Sequence, residues 1–190
     1  MLTRDEALRI FRDSGALMSG HFLLTSGRHS DHYIQCAQVL KYPHYTEALA
    51  SHLAGKFRDD SIEVVVGPAM GGIIVSYEVG RQLQVPAIFA ERENGKMALR
   101  RGFNLYPNQR VLVVEDVITT GGSVQEVIEL VKEHGAEVVG VGVLVDRSNG
   151  AVKFGPKQCQ VLSMEVRSWN PDECLLCKEG RVPLTKPGSR

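Results

Sequence analysis

Four runs of this chain are apolar almost without interruption, and they constrain its fold more than anything else in it. They are Ile62–Gly67 (IEVVVG), Pro86–Glu91 (PAIFAE), Arg110–Asp116 (RVLVVED) and Glu137–Asp146 (EVVGVGVLVD). A strand with one face in water alternates apolar and polar residues, whereas a run of valines needs cover on both faces. Between these runs lie segments with helical spacing. Gly71–Leu83 follows the first, and Gly122–His134 is amphipathic and stopped by Gly135. Strands alternating with helices predict an α/β fold with a central, mostly parallel sheet flanked by helices. Gln160–Glu165 is expected as the last strand. Gly140 and Gly142 sit inside an apolar strand, where close packing explains them.

The N-terminal part has a different texture. Thr3 and Glu6 form a capping box before Ala7, Leu8 and Phe11, which share one helix face, and Gly15 is a plausible stop. Residues 20–36 (GHFLLTSGRHSDHYIQC) read as two short strands around a turn. Tyr45–Arg58 reads as a second helix. The tail VPLTKPGSR is expected to be loose. There is no internal repeat and no low-complexity segment. A chain of 190 residues suits one domain, here with a small N-terminal subdomain from about residues 1–40 plus part of the C-terminal segment.

Lys plus Arg balance Asp plus Glu at 22 each, so no global field attracts nucleic acid or an anionic membrane. Any anionic ligand must be held by local groups. No apolar run approaches the ~18 residues of a membrane span, and MLTRDEALRIFRDSG has no apolar core of a signal peptide. Four cysteines do not make a disulfide scaffold, and a reduced cytoplasmic setting is the expectation.

The chemistry concentrates where RVLVVED runs into ITTGGS and then a helix. In open α/β sheets, ligands bind beyond the carboxyl ends of strands. Thr119 and Thr120 offer hydroxyls. Gly121 and Gly122 let backbone N–H groups approach an anion closely. Ser123 and the helix start add donors and a favourable dipole. The segment therefore suits a phosphate monoester. Glu115 and Asp116, just before it, suit sugar hydroxyls and place negative charge where a ribose carbon becomes cationic. The competing reading, a plain strand–helix turn, leaves the acidic pair unexplained. There is no GxxxxGK[ST], and GPAMGG lacks the required Lys and hydroxyl residue. No GxGxxG follows a strand.

EDVITTGGS resembles the phosphoribosyl-pyrophosphate signature of type I phosphoribosyltransferases. The wider resemblance, over about residues 5–150, is to the orotate phosphoribosyltransferase family. LLTSGRHSDHYIQC is similar to that family's N-terminal segment, VGPAMGGI to its pyrophosphate loop, ALRRGF to its mobile loop, and VLVDRS to its base-binding strand end. The resemblance implies transfer of a phosphoribosyl group to orotate, giving orotidine 5′-monophosphate and pyrophosphate. It assigns Glu115, Asp116, Val117, Ile118, Thr119, Thr120, Gly121, Gly122 and Ser123, with Arg92 and Lys96, to phosphoribosyl pyrophosphate. Thr119, Arg147 and Tyr33 fall to orotate, and Ala69, Met70, Gly71 and Gly72 to pyrophosphate, often with unusual backbone geometry. Asp116, Glu115 and Lys96 are the catalytic candidates. Mg2+ is implied, held mostly by substrate rather than by the protein alone. A homodimer is implied too, with the Arg92–Phe103 loop reaching the partner subunit's site.

Several residues admit other readings. Arg147 could grip the carboxylate of orotate through paired donors, or simply pair with Asp146. Tyr33 could cover the base or pack in the core. The loop Ala90–Phe103 carries Arg92, Lys96, Arg100 and Arg101 around an Asn94-Gly95 hairpin signal. It contains no histidine, and Thr25 and Gly71 stand where the family usually has lysines. This leaves two other functions in view: transfer to another base, or a non-catalytic sensor of phosphoribosyl pyrophosphate. His29, Asp31 and His32 crowd one segment and read as solvated residues. Cys174-Leu-Leu-Cys177 has half the spacing of a zinc site, completed by Cys36 and Cys159 only if the fold brings them close. Ordinary thiols in a C-terminal turn are the expectation.

Overall fold

The computed structural model of the protein describes residues 1–187. The chain opens with α1 (Arg4–Asp13), capped as expected: the Thr3 hydroxyl accepts from the Glu6 N–H, and the Glu6 carboxylate accepts from the Thr3 N–H at 2.8 Å. Strands β1 (Leu17–Leu23) and β2 (His29–Ile34) follow, then a short helix α2 (Ala37–Leu40) and α3 (Pro43–Gly55). The expected βα alternation comes next as β3 (Val64–Pro68), α4 (Gly71–Leu83), β4 (Ala87–Glu93) and β5 (Lys96–Leu99). It continues with β6 (Arg110–Ile118), α5 (Gly122–Glu133), β7 (Glu137–Asp146) and β8 (Lys157–Ser163). The chain closes with β9 (Ser168–Trp169) and α6 (Leu175–Glu179).

Six strands form one sheet in the order β5-β4-β3-β6-β7-β8, parallel except for the β4–β5 hairpin. Period-two geometry splits each valine run between two cores. Val65, Leu112, Val114 and Leu144 face one side, with Phe11, Leu49, Leu53 and Val75 from α1, α3 and α4. Val64, Val66, Val111, Val113, Val141 and Val143 face the other, under Val124, Val127, Ile128 and Val131 of α5. That two-sided burial is why these strands carry no polar alternation. Gly140 packs as expected: a Cβ there would lie 2.4 Å from the Phe57 ring.

A second sheet of three strands, β1-β2-β9, joins the N-terminal segment to Ser168–Trp169. The tail is not loose through its described part. Thr185 pairs with Phe22, donating its N–H to the His21 carbonyl at 2.9 Å and accepting from the Leu23 N–H at 2.8 Å. Gly188–Arg190 of the tail lie outside the described residues. His29, read as a solvated loop residue, lies instead on β2 and is buried.

Strand order fixes where a ligand can sit. From β3 the chain crosses through α4 to β4 on one side; from the adjacent β6 it crosses through α5 to β7 on the other. The crevice between the carboxyl ends of β3 and β6 is the switch point at which open α/β sheets bind ligands.

Candidate active site

Both glycine-rich turns singled out in the sequence leave the sheet at this crevice. The first follows β3. Its Ala69–Met70 peptide is cis, and both residues are exposed. The second follows β6 and enters α5 through Gly121, which holds φ +77° as the helix N-cap. A side chain there would also strike Val152 and Phe154, with the nearest atoms 2.7 and 2.8 Å from its Cβ. No side chain caps α5, so its first N–H groups and the exposed hydroxyls of Thr119 and Thr120 are open to an anion. A cleft of about 290 Å³ lies here, lined by Glu115, Val117–Val124, Arg92 and Glu126.

Glu115 lines the cleft, with the Asp116 carboxylate next to it in the chain. Glu115 is buried, and its Oε1 accepts from the Asp116 N–H at 3.0 Å. The Asp116 carboxylate turns back to accept from the Val117 N–H at 2.8 Å. Burial pushes the Glu115 carboxyl up, and the neighbouring Asp116 charge pushes it further, to about 9. Burial raises Asp116 too, against the hydrogen bonds from Glu115 and the Val117 N–H that favour its charge. Two carboxylates packed this tightly need cationic or hydroxyl partners to be fully ionised.

Asp116 also touches the first turn. A Cβ on Gly71 would lie 2.2 Å from Asp116 Oδ2 and 2.4 Å from its Cγ. The β3 turn and the acidic pair are thus one packed unit, and any side chain at position 71 would displace the carboxylate.

Arg147 stands beside the same cleft. Its backbone N–H donates to the Ile118 carbonyl at 2.9 Å, tying the end of β7 to the start of the glycine-rich turn after β6. The ion pair with Asp146 does not form. Asp146 is buried and accepts instead from Ser148 N–H and Oγ, at 2.8 and 2.6 Å, and from the Gly150 N–H at 3.1 Å. The Arg147 guanidinium is left with a buried Nε that has no hydrogen-bond partner among the described residues. Burial pulls its pKa below the ordinary arginine value, opposed by Tyr33 and Cys36 nearby. Tyr33 is half-buried on β2; its hydroxyl donates to Gln35 and its ring lies 5.9 Å from that of Phe22. The small sheet therefore brings Tyr33 to Arg147.

The loop predicted as a polar insertion is an ordered hairpin at the sheet edge. Asn94 and Gly95 both take positive φ, the turn their sequence signals. Arg92 lines the cleft, but its guanidinium is bidentate with Glu126 at 2.7 and 2.8 Å. Glu126 gives no local sequence signal for this role, being 34 positions away. Arg100 lies 3.3 Å from Glu93, and Arg101 3.1 Å from Glu91. Lys96 alone of the four makes no ion pair among the described residues. It does not line the cleft, and sits in a neighbouring depression with Glu126, Glu129 and Glu133.

A phosphoribosyl transferase domain matches residues 36–174. The orotate phosphoribosyltransferase of Pelotomaculum thermopropionicum is 61% identical over 189 residues, covering 100% of this chain and 99% of that protein. The chain belongs to the orotate phosphoribosyltransferase family. Two solved family structures agree with the fold. That from Aeropyrum pernix superposes with a TM-score of 0.67 at 28% identity, covering 83% of this chain and 93% of that one. That from Mycobacterium tuberculosis, in complex with inorganic phosphate, gives 0.69 at 26% identity, covering 84% and 95%. Within the family, the glycine at position 71 has a local reason here: the Asp116 carboxylate occupies the space a longer residue would need.

Proposed function

We propose that the protein transfers the phosphoribosyl group of 5-phosphoribosyl 1-diphosphate to orotate, forming orotidine 5′-monophosphate and pyrophosphate. One observation carries the reading. The acidic pair of buried Glu115 and half-buried Asp116 runs directly into an uncapped, glycine-rich helix start, beside an arginine whose buried Nε has no partner among the described residues. A 5′-phosphate, ribose hydroxyls and an anionic base match these three features in order.

The 5′-phosphate binds Thr119–Ser123 and the α5 N–H groups. The ribose hydroxyls donate to Glu115 and Asp116, whose charge then faces the anomeric carbon as its bond to pyrophosphate lengthens and positive charge develops there. Orotate is held by Arg147 with Thr119 and covered by Tyr33, and its ring nitrogen attacks the same carbon. Pyrophosphate leaves beside Ala69–Gly72. Glu115 and Asp116, hard oxygen donors packed side by side, fit a Mg2+ carried by the substrate. That ion would supply charge neutralisation on the diphosphate. Positioning and electrostatics do most of this work.

A homodimer is part of the proposal. Met70, Ile74 and Tyr77 lie on one face of α4 at 82, 43 and 67% exposure, an apolar stripe suited to a second copy. The hairpin Arg92–Phe103 holds Lys96 away from its own cleft, as delivery to a partner's site would need. The setting proposed is the reduced cytoplasm.

The test mixes protein, Mg2+, phosphoribosyl pyrophosphate and orotate, and follows orotate absorbance, with uracil and purine bases beside it. Consumption of orotate alone is expected. Binding of phosphoribosyl pyrophosphate without consumption of any base would replace this reading with a sensor. Asp116→Asn should lower turnover by about a hundredfold or more, the scale of removing one preorganised electrostatic group.

A further inference from the structure

The C-terminal segment poses a problem that the active site does not solve. Between Pro171 and Pro187, Cys174 is the one buried residue. Yet this arm is folded against the small sheet. Its helix α6 has five residues, too few to be stable by itself. Something other than apolar burial must hold it there.

The CxxC at the start of α6 meets two histidines that the sequence does not group with it. β1 carries His21 and β2 carries His29, brought together by antiparallel pairing and the irregular register between Ser19 and Phe22. The four donor atoms lie within 4.8 Å of one another. His21 Nε2 is 3.1 Å from His29 Nδ1, 3.4 Å from Cys174 Sγ and 3.6 Å from Cys177 Sγ; Cys177 Sγ is 3.2 Å from His29 Nδ1. Zn–N bonds of about 2.0 Å and Zn–S bonds of about 2.3 Å in a tetrahedron require N···N near ~3.3 Å and S···N near ~3.6 Å. These four edges lie within about 0.4 Å of those spacings. His21 Nδ1 lies 3.1 Å from the Val182 carbonyl. Donating there fixes the tautomer that presents a bare Nε2 to the cluster, the outer-shell arrangement of metal-bound imidazoles. Cys36 and Cys159 take no part: Cys36 donates to the Asp116 carbonyl, and Cys159 lies on β8.

We propose that His21, His29, Cys174 and Cys177 bind one Zn2+ as a closed structural site that pins the C-terminal arm to the small sheet. Two thiolates and two imidazoles in a tetrahedron suit zinc above other common ions. With four protein ligands there is no open position, so the site is structural rather than hydrolytic. His21, His29 and Cys174 are buried and Cys177 is exposed, which gives the ion a way in. The arm's other ties reinforce the same contact: Arg28 donates to Ser168 Oγ and O and to Asn170 Oδ1, and Thr185 pairs with β1. Because β2 also carries Tyr33, the ion steadies the sheet that covers the base site.

The test is metal content of the full chain, expressed with zinc and purified without chelator. About one zinc per chain is expected, together with a thiolate-to-cobalt absorption band and a tetrahedral ligand-field spectrum when Co2+ replaces it. Cys177→Ser and His21→Ala should each weaken zinc binding by at least tenfold and lower the melting temperature, whereas Cys159→Ser should change neither. Cys177 is exposed, so its variant stays foldable, and the wild-type measurement stands even if His21→Ala fails to fold. Wild-type protein that binds neither zinc nor cobalt overturns the proposal. So does a Cys174–Cys177 disulfide found by mass spectrometry in protein purified under reducing conditions, or full zinc retention in Cys177→Ser.

Discussion

Replacing Glu115 with glutamine should make the protein more stable and less active, and the stability gain should grow with pH. Glu115 is buried beside Asp116, and burial followed by that charge pushes its carboxyl from 4.5 to about 9. At neutral pH the ligand-free folded chain therefore holds a proton that the unfolded chain has released. Unfolding releases that proton, so stability is full below the ordinary carboxylate range and is lost as pH rises towards about 9. The slope for one proton is about 1.4 kcal/mol per pH unit. Glu115→Gln keeps shape and burial, and its amide oxygen can still accept from the Asp116 N–H, but it does not titrate. Between about pH 6 and about pH 8 the variant should gain up to ~2–3 kcal/mol on the wild type. Urea unfolding of both proteins at matched ionic strength measures this. Asp116 titrates in both, so the difference reports the proton held by the pair. A difference that stays flat with pH would refute the assignment of a protonated, desolvated Glu115. The same substitution removes a charge from the ribose site, and phosphoribosyl pyrophosphate binding should fall as stability rises.

Two further outcomes follow from contacts around the cleft. Arg147→Met should leave stability within about 1 kcal/mol, because the buried Nε it removes has no partner among the described residues. It should raise the KM for orotate by roughly 10–150-fold, the value of charge-assisted hydrogen bonds worth about 1.5–3 kcal/mol; an unchanged KM would remove Arg147 from the base site. Gly71→Ala should cost about 1–3 kcal/mol of stability by overpacking against Asp116 and should lower turnover as well as affinity for phosphoribosyl pyrophosphate. Wild-type turnover with a normal melting temperature would show that the Asp116 carboxylate can move aside.

The sheet was legible in the sequence because each βα unit announces itself locally. The Val64–Val66, Val111–Val114 and Val141–Val145 runs have no solvent face, and α4 and α5 start and stop at glycines or left-handed caps. The hairpin was legible from Asn94-Gly95. What escaped reading depends on contacts between distant segments. β9 has two residues and exists only by pairing with β2. Thr185 is held by a strand more than 160 positions upstream. His21 sits between Ser19-Gly20 and the apolar Phe22-Leu23-Leu24, and its partnership with Cys174 and Cys177 is created by strand register and the return of the C-terminal arm. Glu126, which occupies Arg92, looks in the sequence like one more solvated acid on α5.

That last contact bears on which cation would assist pyrophosphate departure in the proposed reaction. Three of the four cations in the Arg92–Phe103 hairpin are neutralised by glutamates of this same chain. These pairs are exposed, and exposed pairs are worth only about 0–1 kcal/mol. A diphosphate with its multiple charges can therefore take Arg92 from Glu126 at little cost, and Arg92 already lines the cleft. Lys96 has no pair to give up among the described residues, but in its own chain it faces Glu126, Glu129 and Glu133 rather than the glycine-rich turn after β6. In the proposed reaction Arg92 would serve its own site by exchanging carboxylate for phosphate, while Lys96 would serve a site that approaches from outside, as a second copy docked on the Met70–Ile74–Tyr77 face would bring.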